Sequence, residues 1–145
     1  MRTRGLTLIE VLVTLGLLGI IASLGLFATL GEYRGDTLRS ERDTFVALLT
    51  RARAHAMNNI AGVPHGFCVD ANDYVVFAGT FSQSAIEEYQ PLSRVVARSG
   101  FPACGSGSEI LFTQLSGTTT QTTLTLLQNG QTLTVSVNGE GMVGW

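Results

Sequence analysis

The chain has 145 residues, enough for one domain with a modest core, and at 45% apolar against 14% charged residues it is not a disordered polymer. Nine basic residues face eleven acidic ones, a formal charge of −2. All nine are Arg, so Schiff-base chemistry and the phosphate-binding lysine of a Walker A loop are excluded, and the balance argues against a basic nucleic-acid-binding protein.

The averages conceal an asymmetry. Residues 11–31, VLVTLGLLGIIASLGLFATLG, carry no charge, and back to Leu6 the run holds a single ionisable side chain, Glu10. About 20 such residues cross a bilayer as a helix. The run is too long for the core of a cleaved secretory signal, which is about 7–15 residues. Arg2 and Arg4 precede it, whereas Glu32, Arg34 and Asp36 follow. The positive-inside rule therefore keeps the N-terminus cytoplasmic and sends residues 32–145 outward.

Glu10 asks for its own explanation, because a carboxylate at the centre of a membrane helix costs roughly 2.5–3.5 kcal/mol, and less toward the interface. Two local readings exist. Thr7-Leu8-Ile9-Glu10 fits a capping box, in which Glu reaches back to the N-cap amide. Alternatively, the side chain snorkels to the interface.

A third reading takes the neighbours into account. Gly5-Leu6-Thr7-Leu8-Ile9-Glu10, followed by the apolar run, resembles the processing site of type IV prepilins and pseudopilins. The resemblance implies a leader Met1–Gly5 removed by a prepilin peptidase and a new N-terminus, Leu6, that is N-methylated. Glu10 then stands fifth in the mature chain and pairs with the terminal ammonium of a neighbouring subunit during filament assembly. A buried charge left without a partner is costly, so such pairing selects the correct register.

Helical periodicity continues beyond the apolar run. Leu38, Phe45, Leu48, Leu49, Ala52 and Ala56 recur on one helical face. Arg39, Glu41, Arg42, Asp43, Arg51 and Arg53 fill the other side, with Arg39 and Asp43 at i,i+4 spacing. The pattern ends near Asn58-Asn59, ahead of Gly62 and Pro64. A helix from Leu6 to Asn59 is about 80 Å long. Gly16, Gly19, Gly25, Gly31 and Gly35 either permit close helix packing or mark points of local melting.

From residue 60 the pattern changes to short β-rich runs broken by turn residues. Phe67–Val69 and Tyr74–Ala78 flank Asp70-Ala71-Asn72-Asp73 as a hairpin; Ser93–Ala97 and Ile110–Leu115 read as further strands. Thr123–Gln128 and Gln131–Val137 enclose Asn129-Gly130, a type I′ signal. The expected class is therefore α+β: a leader over 1–5, a transmembrane helical half over 6–31, an amphipathic half over 32–59 and a β-rich domain over 60–145. In pilin-like proteins the outer half of the helix packs on the sheet. Cys68 and Cys104, on an outward-facing domain, suggest a disulfide, with a pair of free thiols as the alternative.

Other motifs carry less. Gly139-Glu140-Gly141-Met142-Val143-Gly144 spells GxGxxG, but a dinucleotide fingerprint needs a helix after it and the sequence stops at Trp145. Asp70–Asp73 lacks calcium-loop spacing and reads as a turn. His55 and His65 have no further ligand at metal spacing and read as structural or exposed. Ser106 is not in a GxSxG context. Thr118–Thr125, polar and threonine-rich, reads as a solvated strand edge, with a binding surface as the alternative. No enzyme activity, cofactor or metal is expected.

The strand-rich C-terminal half is similar to minor pilins of the FimT and FimU kind, and equally to the H-type (GspH) minor pseudopilins of type II secretion. Such subunits are thought to help start or cap a filament, in partnership with other pilin or pseudopilin subunits and the prepilin peptidase at the bacterial inner membrane, with the globular domain in the periplasm. Some FimT-like relatives bind DNA through Gly-Arg-x-Arg near the C-terminus; here the stretch is Gly139-Glu140-Gly141-Met142. Residues 32–145 carry seven Arg against ten acids, −3, so DNA binding is expected to be weak or absent. Two alternatives stand beside the filament subunit: a single-pass anchored binding module and a DNA-uptake minor pilin.

Overall fold

A computed structural model of the protein describes the backbone of residues 7–145 and the side chains of residues 7–23 and 37–145. The expected leader Met1–Gly5 and the expected new N-terminus Leu6 lie outside the described residues. The chain divides into two compact units between Thr37 and Leu38. One helix, α1 (Leu8–Met57), contributes to both.

From Leu8 to Ser23 the side chains of α1 are exposed on every face; Leu8 is 80% and Ile20 62% accessible. Among the described residues no helix is long and apolar enough to cross a membrane. Residues 24–31 of the expected span are not among the described side chains.

The second unit begins with the amphipathic part of α1. Leu38, Phe45, Leu48, Leu49, Ala52 and Ala56, the face expected from periodicity, are all buried in one core with strand residues. Two assignments on the polar side change. Glu41 is buried rather than solvated. Asp43 pairs with Arg42 at 2.7 Å, not with Arg39. The helix stops where expected: Asn59 takes a left-handed conformation, φ 55°, which Asn tolerates better than most residues.

Eight strands follow: β1 (His65–Val69), β2 (Asp73–Ala78), β3 (Ile86–Pro91), β4 (Ala97–Ser99), β5 (Ile110–Phe112), β6 (Thr122–Gln128), β7 (Gln131–Val137) and β8 (Val143–Gly144). They form two antiparallel sheets, ordered β3-β2-β1-β5 and β4-β6-β7-β8. Alternate residues of β1 and β2 separate two environments. Phe67, Tyr74 and Val76 join the core with α1; Cys68, Val75 and Phe77 form a smaller cluster with Phe81, Ile86 and Cys104. Gly66 is required by this packing, because a Cβ there would lie 2.2 Å from the Phe77 ring.

Both expected hairpins form. β1 and β2 pair across the Asp70–Asn72 turn, and β6 pairs with β7 from Thr122↔Val137 to Gln128↔Gln131. Asn129 and Gly130 have φ 50° and 80°, the pair of positive values that a type I′ turn requires. Ser93–Ala97, expected as a strand, is instead mostly a turn: β4 starts only at Ala97. Polar contacts from Ser93 to Glu41 and Arg98 hold it there. The fifth strand is shorter than expected, ending at Phe112. β3 carries no strand signal in the sequence, because Ile86-Glu87-Glu88-Tyr89-Gln90-Pro91 is charged and contains Pro, which an edge strand accepts. Thr122–Thr125 begin β6, which lies between β4 and β7 and not at a sheet edge.

Candidate functional site

Glu10 occupies the third residue of α1 and is exposed. The Thr7 amide donates to Glu10 Oε2 at 3.5 Å, and the Thr7 hydroxyl approaches the same oxygen at 3.4 Å. This is one half of the capping box anticipated from the sequence, with the Thr7 hydroxyl turned to the carboxylate instead of the Glu10 amide. Among the described residues the carboxylate thus has only local partners, and it remains accessible.

Cys68 and Cys104 form a disulfide, their Cα atoms 5.0 Å apart. Backbone pairing holds the second cysteine in reach: the Val69 amide donates to Pro102 O at 2.8 Å and the Cys104 amide to Val69 O at 3.0 Å. The bridge ties β1 to the head of the Gly105–Ser108 loop, as the sequence suggested, and covers the face of the sheet turned away from α1.

The buried carboxylate of Glu41 organises a three-element network. Tyr74 on β2 donates its hydroxyl to Glu41 at 3.0 Å and accepts from Arg98 Nε on β4 at 2.8 Å. The Arg98 guanidinium also bonds Glu41 directly and donates to the carbonyls of Ser93 and Val96 at 2.9 and 2.8 Å. Ser93 adds its amide to Glu41 at 3.1 Å. Burial pushes the Tyr74 hydroxyl well above the usual phenol range, against the opposing hydrogen bond from Arg98. Phe45 and Phe101 pack around it, with ring centroids 6.0 Å from Tyr74 in both cases. This arrangement can lock helix and sheets together; it offers no nucleophile and no accessible acid–base pair.

The C-terminal glycine motif is a turn. Asn138 Oδ1 accepts from the amides of Glu140 and Met142 at 3.1 and 2.8 Å, and the chain then enters β8. Gly141, at φ 75°, sits so close that a Cβ would be 2.0 Å from Gly117 O. Arg53, from α1, donates to Glu140 O at 3.0 Å.

His55 and His65 require a correction. Sequence spacing offered them no further ligand, yet the fold places both against Glu87 of β3. His55 Nδ1 is 3.1 Å from Glu87 Oε2, and His65 Nε2 is 3.3 Å from Glu87 Oε1. The three come from the end of α1, from β1 and from an edge strand, so no local motif could have announced them.

A helix whose apolar face closes over antiparallel sheets defines a pilin-like α+β fold. The prokaryotic N-terminal methylation motif matches residues 1–26, and the type II transport protein GspH family matches residues 41–141. The chain belongs to the GspH family. Of the two filament systems that its sequence resembled, the family is that of type II transport, and its members are structural subunits rather than enzymes. The solved minor pseudopilin EpsH from the type 2 secretion system of Vibrio cholerae has a similar fold, with a TM-score of 0.52 at 16% identity over 74% of this chain and 94% of that one. No curated protein sequence matches significantly.

Proposed function

We propose that this chain is a minor pseudopilin of a type II secretion system: a subunit processed after Gly5, N-methylated on Leu6, held in the inner membrane through the apolar start of α1, and built into the pseudopilus, where it helps initiate or cap the filament. One observation carries the reading. A single chain joins a methylation motif over residues 1–26 to a GspH domain over residues 41–141. Apolar side chains exposed all around α1 from Leu8 to Ile21 support it, because such a surface needs lipid or neighbouring helices to cover it. So does the accessible Glu10, whose only partners among the described residues are at Thr7.

The decisive experiment is the intact mass of membrane-extracted protein from cells with and without a prepilin peptidase. Loss of Met1–Gly5 together with one added methyl group is expected only where the peptidase is present. An unchanged full-length mass in those cells would overturn the processing step and favour a simple membrane-anchored module. Assembly is tested separately by Glu10→Leu, which should still be inserted and cut yet fail to co-purify with the other pseudopilins. Normal incorporation of that variant would return Glu10 to the role of a helix cap.

A further inference from the structure

Glu87 owes its position to an irregularity in β3. Val76 pairs with Glu88 and Phe77 with Ile86, so Glu87 is the extra residue of a β-bulge. Successive side chains of an unbroken strand point to opposite faces, and a bulge re-aims one of them. Here Glu87 reaches His55 and Glu88 reaches Arg51, so two consecutive carboxylates both meet α1.

The histidine on β1 is the informative partner. His65 is fully buried, and its Nδ1 lies 3.1 Å from the carbonyl oxygen of Val63. A carbonyl can only accept, so this hydrogen bond assigns the ring proton to Nδ1. Nε2 of the neutral ring is then a bare lone pair. It is buried, has no hydrogen-bond partner among the described residues, and faces Glu87 Oε1 at 3.3 Å. Two electron-rich atoms held this close demand a positive centre between them. Arg51 does not supply it, because its guanidinium is engaged by Glu88 at 2.9 Å.

We propose that His55, His65 and Glu87 bind a divalent transition-metal ion, Zn²⁺ above all, through His65 Nε2, His55 Nδ1 and the Glu87 carboxylate, with water completing the shell. Zinc bonds of about 2.0–2.1 Å in a tetrahedron set neighbouring ligand atoms about 3.3 Å apart. His55 Nδ1 stands 3.1 Å from Glu87 Oε2 and His65 Nε2 3.3 Å from Glu87 Oε1, and one ligand atom from each of the three residues lies within 4.8 Å of the others. The His55 side chain, 23% exposed, has room to draw the set together. Two imidazoles with one carboxylate suit zinc and its neighbours and disfavour the oxygen-seeking Ca²⁺ and Mg²⁺. The Val63 carbonyl acts as the outer partner that fixes the orientation of a ligating histidine. A bound ion would staple the last turns of α1 to β1 and to the exposed edge strand β3.

The test uses the full-length chain in detergent, without a polyhistidine tag and stripped with EDTA. It is titrated with Zn²⁺ and, separately, with Co²⁺. One Zn²⁺ per chain is expected, with a rise in melting temperature on loading. Bound Co²⁺ should show the visible absorption of a tetrahedral site, and Zn²⁺ should abolish it. His55→Ala and Glu87→Gln, both at partly exposed side chains, should each weaken binding by at least about tenfold while leaving the far-UV spectrum of the chain unchanged. The proposal falls if wild-type protein takes up no metal, or if uptake is undiminished in both variants. It falls equally if Glu87→Gln lowers the melting temperature of a wild type that binds no ion, since a proton on His65 would then be the positive centre.

Discussion

At the scale of single residues, the most consequential side chain in the globular unit is Glu41, a carboxylate only 7% exposed that meets a tyrosine, a guanidinium and a backbone amide. Its position on the helix reads as polar and solvated, since Arg39, Arg42 and Asp43 surround it in sequence. Nothing local could reveal that Tyr74 and Arg98 come from two different sheets to meet it. Removing one partner strands the other charge in the core. Arg98→Ala and Glu41→Ala are each expected to cost about 3–5 kcal/mol in denaturant unfolding, with the Glu41→Leu, Arg98→Met double variant recovering much of the loss. Tyr74 adds a pH dependence. Its hydroxyl is held above its ordinary value of 10.0, so the fold favours the neutral phenol. That contribution is complete below about pH 10 and fades as the pH climbs beyond it. The urea midpoint should therefore hold steady up to about pH 10 and then fall, and fall less steeply in Tyr74→Phe. Equal slopes for the two proteins would contradict this account.

Among the elements, those with strong local signals were legible. The buried face of α1 from Leu38 to Ala56, its end at Asn59 and the Asn129-Gly130 hairpin follow from periodicity and turn chemistry alone. The edge strand β3 was hidden by its charges and by Pro91, and the Ser93–Ala97 stretch looked like a strand but is bent by polar contacts to Glu41 and Arg98. The disulfide belongs at this scale as well, since it fastens β1 to the loop beyond β4. Closing a 36-residue separation, it should contribute about 3–4 kcal/mol in the chain-entropy view. Reduction, or the Cys68→Ser, Cys104→Ser pair, is expected to lower the melting temperature of the globular unit while leaving helix content largely intact. A melting temperature indifferent to reductant would show that backbone pairing at Val69 suffices to hold the loop.

For the whole molecule, charge sets a limit on partners. Residues 32–145 carry seven Arg against ten acids, and Arg42, Arg51 and Arg98 are already committed to carboxylates of the same chain. Phosphate contacts dominate affinity for DNA, so binding by this chain should be weak or undetectable at physiological salt. Saturable binding in the micromolar range, measured by fluorescence anisotropy, would contradict this and revive the DNA-uptake reading.

The sequence by itself determined the class and the kinship of this protein. A continuous apolar run behind Gly5 and Glu10, a helical stripe after it and turn-punctuated strands at the end are all short-range patterns, and each is dictated by neighbours a few residues away. Tertiary structure alone decided which polar residues are partners. The Glu41–Tyr74–Arg98 network and the His55–His65–Glu87 cluster each join side chains from three different elements. Their geometry exists only once the helix and sheets have packed and a bulge has turned Glu87 toward α1.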